Sequence, residues 1–259
     1  MNNICLEVSH LKKEFVTKKG KFLALDNLNL YVNKGEFVCI IGASGSGKST
    51  LLRIIGGLET PTFGHVIVND INIKGPGSDR GMVFQKYTLY PWLSVKKNVE
   101  FGLKLQGFSK KERQDIASYY IDVVGLSSFI NSYPYQLSGG MQQRVAIARS
   151  LATHPQILLM DEPFGALDVQ TKENMQQFLL EIWQRTQCTI LMITHDIREA
   201  VFLSQRIYIL TQSPGTIKKE LIINLPKERN NKTKWNPTFH HYIDEIMGLL
   251  RDKETIKIS

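Results

Sequence analysis

The chain has 259 residues, 42% of them hydrophobic and 22% charged, which is ordinary for a soluble globular protein with a sizeable core. No apolar run approaches the ~18 residues of a membrane span, and the polar N-terminal segment predicts no signal peptide. The net charge of +8 is spread along the chain without interleaved aromatics, so we expect a solvated surface near anionic lipid and no nucleic-acid partner.

The first 35 residues predict an antiparallel β front end. The expected strands cover residues 4–8, 22–25 and 28–32. Asp26-Asn27 is a turn signal between the last two. Phe15 lies between the first two strands, exposed among lysines, and an aromatic ring there could stack on a nucleobase. A lone aromatic is more often a core residue, so this interpretation depends on later motifs.

A glycine-rich stretch follows the buried-strand pattern of 37–41 and precedes a helical pattern over 51–58. Strand, glycine-rich loop and helix in this order are the context of a phosphate-binding loop, although a plain turn is the alternative. Backbone N–H groups would surround the phosphates, Lys48 would reach the β- and γ-phosphates, and the Ser49 hydroxyl would hold Mg²⁺. The predicted nucleotide-binding residues here are Gly42, Ala43, Ser44, Gly45, Ser46, Gly47, Lys48, Ser49 and Thr50.

The middle of the chain predicts helices. A strand over 81–84 ends at Gln85, and the pattern is then helical from Leu89 to Leu151. Ser94 and Ser109 are expected helix caps, the second with Glu112 at capping-box spacing. A further helical run covers 141–152.

The second half of the chain alternates apolar strand patterns with helical stretches, which favours a parallel sheet. The expected strands cover 157–160, 189–194 and 207–210. The chain then becomes polar and basic and ends in an amphipathic helix, with Asn236 as N-cap and Pro237 as its first residue. We expect the apolar stripe of this helix to pack on its own domain.

Two adjacent carboxylates, Asp161 and Glu162, follow the apolar run at 157–160. This is the strand end at which α/β sheets bind ligands. Asp161 would hold Mg²⁺ through water, and Glu162 would orient or deprotonate an attacking water. Taken alone, the pair could also be a turn with solvated acids.

A second glycine loop, Leu137–Arg144, opens a helix just before the acidic strand, and its N–H groups could also face a phosphate. With this loop the chain resembles the ATP-binding subunits of ABC transporters. The matching elements are 42–49 (Walker A), Gln85 (Q-loop), 137–144 (signature), 157–162 (Walker B), 166–168 (D-loop) and His195 (switch histidine). They occur in the family's order and cover residues 1 to about 210.

The resemblance implies a fold and an assembly. The fold is α/β: a P-loop NTPase with a RecA-like core, an antiparallel β subdomain and an inserted helical subdomain at about 89–151. It forms a single domain over 1–259, with a short C-terminal extension from about 213. The assembly is a head-to-tail homodimer, or a pair of ATPase subunits, that encloses two ATP molecules with Mg²⁺. The Walker loop of one subunit then faces the signature loop of the other.

The resemblance also implies roles for single residues. Phe15 falls where the family stacks an aromatic on adenine, and Asp168 would communicate across the dimer. His195 would contact the γ-phosphate and orient Glu162. Gln85 would reach Mg²⁺ and the attacking water and would report the nucleotide state to a membrane partner. The residues implied to face the partner's nucleotide are Leu137, Ser138, Gly139, Gly140 and Gln142, and those implied to hold the metal are Ser49, Gln85 and Asp161.

A finer resemblance links the segments 85–92 and 194–215 to the nitrate/sulfonate/taurine importer subfamily, from which Lys86 departs. It implies ATP-driven import of a small solute, with transmembrane permease subunits and a separate solute-binding protein, at the cytoplasmic face of a bacterial inner membrane. A soluble ABC ATPase of DNA maintenance would need long coiled-coil insertions, which 259 residues do not hold. A small-molecule kinase would have no use for the signature loop, and a pure binding module would not need Glu162 and His195.

Overall fold

The computed structural model describes residues 3–18, 20–226 and 228–251. The strands are β1 (Ile4–Thr17), β2 (Gly20–Asn33), β3 (Phe37–Ile41), β4 (Phe63–Val68), β5 (Ile71–Asn72), β6 (Arg80–Val83), β7 (Ile157–Asp161), β8 (Thr189–Thr194), β9 (Arg206–Leu210) and β10 (Ile217–Ile222). The α-helices are α1 (Lys48–Ile55), α2 (Val95–Leu105), α3 (Lys110–Val123), α4 (Gly139–Leu151), α5 (Val169–Thr186), α6 (Ile197–Leu203) and α7 (Pro237–Arg251). The chain divides into two compact units, the first of Met1–Pro76 with Thr189–Ser259 and the second of Gly77–Cys188.

The first unit contains an antiparallel sheet in the order β2-β1-β4-β5. The turn expected at Asp26-Asn27 is wrong, because β2 continues through both residues. Leu25 and Leu28 are fully buried on either side of them. Burial of these two side chains stabilises the continuous strand. The pairing absorbs the extra residue as a bulge: Asp26 and Asn27 stand opposite Lys12, and Asn27 has φ of 42°.

A second set of strands in the first unit is parallel. β3 pairs with β8 on one side and with β9 on the other, and β10 adds to β9 in antiparallel direction. All residues of β3, β8 and β9 are buried, which explains their uninterrupted apolar runs. Among the described residues, no helix is both long and apolar enough to cross a membrane.

The terminal helix α7 belongs to the first unit and packs against α6. The side chain of Asn236 accepts a 2.9 Å hydrogen bond from the N–H of Thr238, so the predicted cap is confirmed. Phe239, Ile243 and Ile246 form its buried face. The stripe therefore packs on its own unit, as expected from its spacing.

In the second unit, β6 and β7 pair in parallel, and α2 packs against α3 and α4. Ser94 and Ser109 cap α2 and α3 as predicted, and Glu112 completes the capping box of α3. The helix expected from Met141 begins earlier, at Gly139, because the Ser138 Oγ accepts the N–H of Met141 at 3.3 Å. The two signature glycines are thus the first turn of α4.

Candidate functional site

The glycine-rich loop of the first unit closes around the side chain of Lys48. The Lys48 Nζ donates to the carbonyl oxygens of Gly42 at 2.7 Å and Ala43 at 2.9 Å, and lies 3.4 Å from the Ser46 Oγ. Lys48 is only 7% exposed. A buried ammonium among carbonyl oxygens suits an anion such as a phosphate, because hydrogen bonds between a charged donor and a charged acceptor are stronger than neutral ones.

The backbone of this loop needs glycine at two positions. Gly45 and Gly47 have φ of 78° and 86°, in the left-handed region. A Cβ on Gly47 would lie 2.6 Å from the Leu25 Cδ2, whereas one on Gly45 would meet nothing within 4 Å in the described chain. The loop therefore packs against β2 at Gly47 and is open at Gly45.

A segment that sequence reasoning used only as a subfamily marker supports the loop from behind. The N–H of Gly215 donates to the Ala24 carbonyl oxygen at 2.9 Å, and its own carbonyl accepts from the N–H of Asp26 at 3.1 Å. A Cβ on Gly215 would lie 2.2 Å from the Ser46 carbonyl oxygen. The sequence around Gly215 reads as a turn, and it does not indicate a contact with residues that are so distant along the chain.

The N-terminus of α1 completes a cradle that fits phosphate groups. The helix begins at Lys48 after Gly47, and no side chain of the described residues caps it. The positive end of its dipole therefore favours an anion at this position. The exposed Ser49 hydroxyl adds the kind of oxygen ligand that Mg²⁺ prefers.

His195 lies at the neighbouring strand end. Ile41 and Thr194 are register partners at the ends of β3 and β8, so the phosphate loop and His195 leave adjacent strands. The Thr194 Oγ1 donates to the Glu199 Oε2 at 2.5 Å and accepts the N–H of Asp196 at 3.1 Å. This turn leaves His195 exposed.

Phe15 differs from its expectation in two ways. It lies inside β1, and it is half-buried, because a lysine covers it instead of exposing it. The Lys13 Nζ lies 4.8 Å from the centre of the Phe15 ring and donates to the Glu59 Oε1 at 2.6 Å. That hydrogen bond lowers the pKa of Glu59. Leu25, the register partner of Lys13, packs on Gly47, so Phe15 is near the part of the hairpin that touches the loop.

The second unit holds the two acidic residues and Gln85. Val83 and Met160 are register partners, and Gln85 and Glu162 each follow two residues later. A Cβ on Gly165 would lie 3.1 Å from the Gln85 Nε2, and the N–H of Gly165 donates to the Glu162 carbonyl oxygen at 3.1 Å. The structure therefore brings Gln85 to the turn that begins at Glu162.

The first turn of α4 is packed closely on two sides. A Cβ on Gly139 would lie 2.7 Å from the Tyr87 Oη, and one on Gly140 would lie 2.9 Å from the Thr171 Cγ2. Sequence reasoning missed Tyr87 and Thr171, which lack a motif of their own. Leu137 is buried, and its carbonyl accepts from the Gln142 Nε2 at 3.1 Å.

Asp168 has a local role that was not predicted. Its Oδ1 accepts the N–H of Thr171 at 3.0 Å and so caps α5. Hydrogen bonding from Thr171 lowers the pKa of Asp168 and keeps the cap ionised. The Asp161 carboxylate, at the end of β7, is a further oxygen ligand suited to Mg²⁺. In the described ranges, no group of three His, Cys, Asp or Glu side chains gathers into a metal site.

Comparison with known proteins shows the family to which this site belongs. A family model described as "ABC transporter" matches residues 25–165. The nitrate import ATP-binding protein NrtD of Synechocystis sp. is 62% identical over 256 residues, which are 96% of each chain. The bicarbonate transport ATP-binding protein CmpC of Synechococcus elongatus is 43% identical over 260 residues, which are 98% of this chain and 39% of that longer relative.

Solved structures agree with the sequence relatives. The ATP-binding cassette MJ0796, solved as a dimer in a post-hydrolysis state bound to ADP and phosphate, superimposes with a TM-score of 0.73. It is 37% identical, and the match covers 85% of this chain and 100% of that chain. Such a similarity in both sequence and fold is that of one protein family.

Proposed function

The chain belongs to the ABC transporter family of ATP-binding proteins, and from that premise we propose that it drives the import of nitrate. It is an ATPase whose hydrolysis of ATP is coupled to transport. The observation that supports nitrate as the solute is the 62% identity to a nitrate import ATP-binding protein over 96% of both chains. Bicarbonate is the second candidate, since a 43% identical relative is a bicarbonate transport ATP-binding protein. Both solutes are small planar inorganic anions.

We propose that two copies, or this chain and a paired ATPase subunit, enclose two ATP molecules head to tail. The dimer of MJ0796 with ADP and phosphate supports pairing of this kind. The Walker loop of one copy would face residues 137–142 of the other. The whole chain would act as one ATPase domain, with the extension after 213 as part of it.

In the proposed mechanism, Lys48 exchanges the carbonyls of Gly42 and Ala43 for oxygens of the β- and γ-phosphates. Backbone N–H groups of the loop bind the remaining phosphate oxygens, and the Phe15 ring stacks on adenine. Bound Mg²⁺ would neutralise charge on the phosphates, and Ser49, Gln85 and Asp161 would hold it.

Hydrolysis needs a group that orients water and accepts its proton, and we assign this role to Glu162. Gln85 lies at the Glu162 turn and would help to position the water. His195 would contact the γ-phosphate from the strand next to the phosphate loop. Ser138, through the first turn of α4, would act on the nucleotide of the partner, and Asp168 would communicate between the subunits.

A permease is the membrane partner of such an ATPase, and we propose that it binds the second unit beside the Gln85 loop. A groove of about 630 Å³ is lined there by Met82, Tyr90, Phe101 and Leu105. Met82 and Tyr90 flank the loop, and the nearby Trp92 is 71% exposed. Apolar side chains together with Arg80 and Arg149, and an exposed aromatic nearby, suit a short amphipathic helix of the permease. The chain would be peripheral, at the cytoplasmic face of a bacterial inner membrane, with a separate solute-binding protein.

The test is uptake by cells in which Lys48→Ala replaces the chain's own residue, with ¹⁵N-nitrate and ¹⁴C-bicarbonate measured in parallel. Loss of nitrate uptake with intact bicarbonate uptake is the expected result. Loss of bicarbonate uptake alone would overturn nitrate in favour of the second candidate. Retention of both would exclude both solutes.

A further inference from the structure

Tyr87 connects the Gln85 loop with the first turn of α4. The proposed function assigns a role to each of these two motifs but not to the contact between them. Tyr87 lies two residues after Gln85, in the segment between β6 and α2. Its Oη would lie 2.7 Å, and its Cζ 3.6 Å, from a Cβ built on Gly139. The ring therefore ends against the Cα of the first residue of α4. Tyr87 is half-buried, and burial raises the pKa of its hydroxyl, so the group in contact is neutral.

Helix geometry does not require glycine at position 139. Gly139 lies in the first turn of α4 and is not among the described glycines with positive φ. Alanine would be the better helix former there. What excludes a side chain is space: the Tyr87 hydroxyl occupies the place of a Cβ, and the Leu167 Cδ2 would be 3.3 Å away.

The face of α4 that carries Gly139 is positioned by packing. Gln143 lies one helical turn later on this face. It is fully buried, and within the described chain neither its side-chain oxygen nor its nitrogen has a hydrogen-bond partner. Gln143 therefore does not tether this face through a hydrogen bond, so contacts such as that of Tyr87 determine where it lies.

We propose that Tyr87 is a positioning residue for ATP hydrolysis, which sets the spacing between the Gln85 loop and the first turn of α4. A shift of the Gln85 loop would move the Tyr87 ring against Gly139 and so displace the N–H groups next to Ser138. The inference rests on the proposed function, in which this turn acts on the nucleotide of the partner subunit.

The contact between Tyr87 and Gly139 can be tested by substituting each of the two residues, singly and together, in the full chain. Gly139→Ala adds a Cβ 2.7 Å from the Tyr87 Oη, so the Tyr87 side chain and the first turn of α4 must move apart. Tyr87→Phe removes that oxygen and leaves Cζ at 3.6 Å, an ordinary van der Waals contact. The clash therefore disappears in the double variant.

The measurement is kcat and KM for ATP hydrolysis, with ATP affinity of the single subunit and thermal unfolding in parallel. We expect Gly139→Ala to lower kcat about tenfold or more, while KM stays within about twofold. Tyr87→Phe alone removes the contact and should lower kcat about threefold or more. In the double variant the added Cβ meets Cζ at 3.6 Å, so kcat should return to within about threefold of wild type.

Gly140 supplies a matched control in the same helical turn. A Cβ there would meet the Thr171 Cγ2 at 2.9 Å and would not meet Tyr87. Tyr87→Phe should therefore fail to rescue Gly140→Ala, whereas Thr171→Ser, which removes that methyl group, should rescue it. Rescue of both glycine variants by Tyr87→Phe would mean general loosening and would overturn the specific role.

Two further outcomes would also overturn the proposal: wild-type kcat in Gly139→Ala, or a double variant as slow as Gly139→Ala. In both cases the proposed function would still hold, because the wild type hydrolyses ATP. A wild type without ATPase activity overturns the proposed function and, with it, the kinetic role of Tyr87. Thermal unfolding still reports the contact then, since the clash should lower the Tm of Gly139→Ala and Tyr87→Phe should restore it.

Discussion

The carbonyl oxygen of Glu162 accepts a 3.1 Å hydrogen bond from the N–H of Gly165, and Glu162, the first residue of this turn, has φ of 42°. A side chain other than glycine in this region costs on the order of 1–3 kcal/mol and persists where the surrounding structure holds it. Such strain is typical of functional sites. Here the strained residue begins the turn that the Gln85 side chain approaches, since a Cβ on Gly165 would lie 3.1 Å from the Gln85 Nε2.

Glu162→Gln keeps the size of the side chain and removes the carboxylate that we propose as the proton acceptor. Loss of a general base typically lowers the rate by about 10²–10⁴-fold, so ATP should bind but barely turn over. Removing a negative charge near the γ-phosphate also relieves repulsion, and the variant should accumulate as an ATP-bound dimer. Phosphate release and gel filtration with ATP measure the two effects.

Glu181→Gln, at an exposed position on α5, is the control for the charge change and should behave like wild type. Hydrolysis by Glu162→Gln within about threefold of wild type would remove Glu162 from the base role. A variant that stays monomeric under ATP would count against the argument from charge relief.

Lys48→Ala should abolish ATP binding. The substitution removes the buried cation that the Gly42 and Ala43 carbonyls now hold, and no other lysine or arginine lies within 42–50. Binding of a fluorescent ATP analogue measures the effect, with the exposed Lys219→Ala as the charge-matched control. Near-normal affinity in Lys48→Ala would contradict the assignment of the loop.

Ser138→Arg should leave ATP binding by the single subunit intact and abolish hydrolysis, because we propose that residue 138 acts on the partner's nucleotide. The substitution also removes the cap of α4, which costs about 1 kcal/mol. Ser138→Asn keeps a capping oxygen and Ser138→Ala removes it, so this pair separates the stability effect from the loss of rate. Full ATPase activity in Ser138→Arg would refute the head-to-tail arrangement.

The ion pair of Lys13 and Glu59 predicts a loss of stability in acid. The hydrogen bond from Lys13 lowers the pKa of Glu59 in the folded state below its unfolded value of 4.5. Its contribution is therefore fully present above pH 4.5 and is lost as the pH falls through the folded pKa. Urea unfolding at pH 6 and pH 3 should show a smaller pH-dependent loss in Glu59→Gln than in wild type. Equal losses in the two proteins would contradict this role of the ion pair.

Arg229 caps the C-terminal end of α6 from inside the first unit. Its guanidinium donates to the carbonyl oxygens of Val201, Phe202 and Ser204 at 3.3, 2.9 and 2.8 Å, and it is 5% exposed. Burial lowers its pKa to about 10, so it is charged at neutral pH. Arg229→Met should destabilise the fold by about 3 kcal/mol, because buried carbonyls lose a charged donor.

For a chain of this size, that loss corresponds to a decrease in Tm of roughly 6–12 °C. Differential scanning calorimetry measures it, and Arg198→Met, at an exposed position of the same helix, is the matched control. A Tm within about 2 °C of wild type for Arg229→Met would show that the cap contributes little.

Local sequence patterns were sufficient to predict the parts of the structure that depend on neighbouring residues. β3 and β8 are buried on both faces, so their apolar runs were unmistakable. The caps at Ser94 and Ser109 were predictable because each hydrogen bond spans three residues. The same holds for the phosphate loop, whose glycines and lysine follow one another.

The parts that were missed depend on contacts between distant segments. The continuity of β2 through Asp26 and Asn27 rests on a bulge opposite β1. β10 has a single buried residue, Leu221, and so lacks an apolar signature. The burial of Phe15 depends on Lys13, which Glu59 holds from 46 positions away in sequence. No local pattern contains these pairings.

The support of the phosphate loop by Gly215 sets a lower limit on any fragment that could bind nucleotide. The family match ends at residue 165, and the last parallel strand ends at Leu210. A truncation at either point would remove the backbone that packs against Ser46 and that pairs with Ala24 and Asp26. In protein engineering, a domain boundary or a fused reporter therefore belongs beyond residue 215, even though the last ATPase motif, His195, lies 20 positions before it.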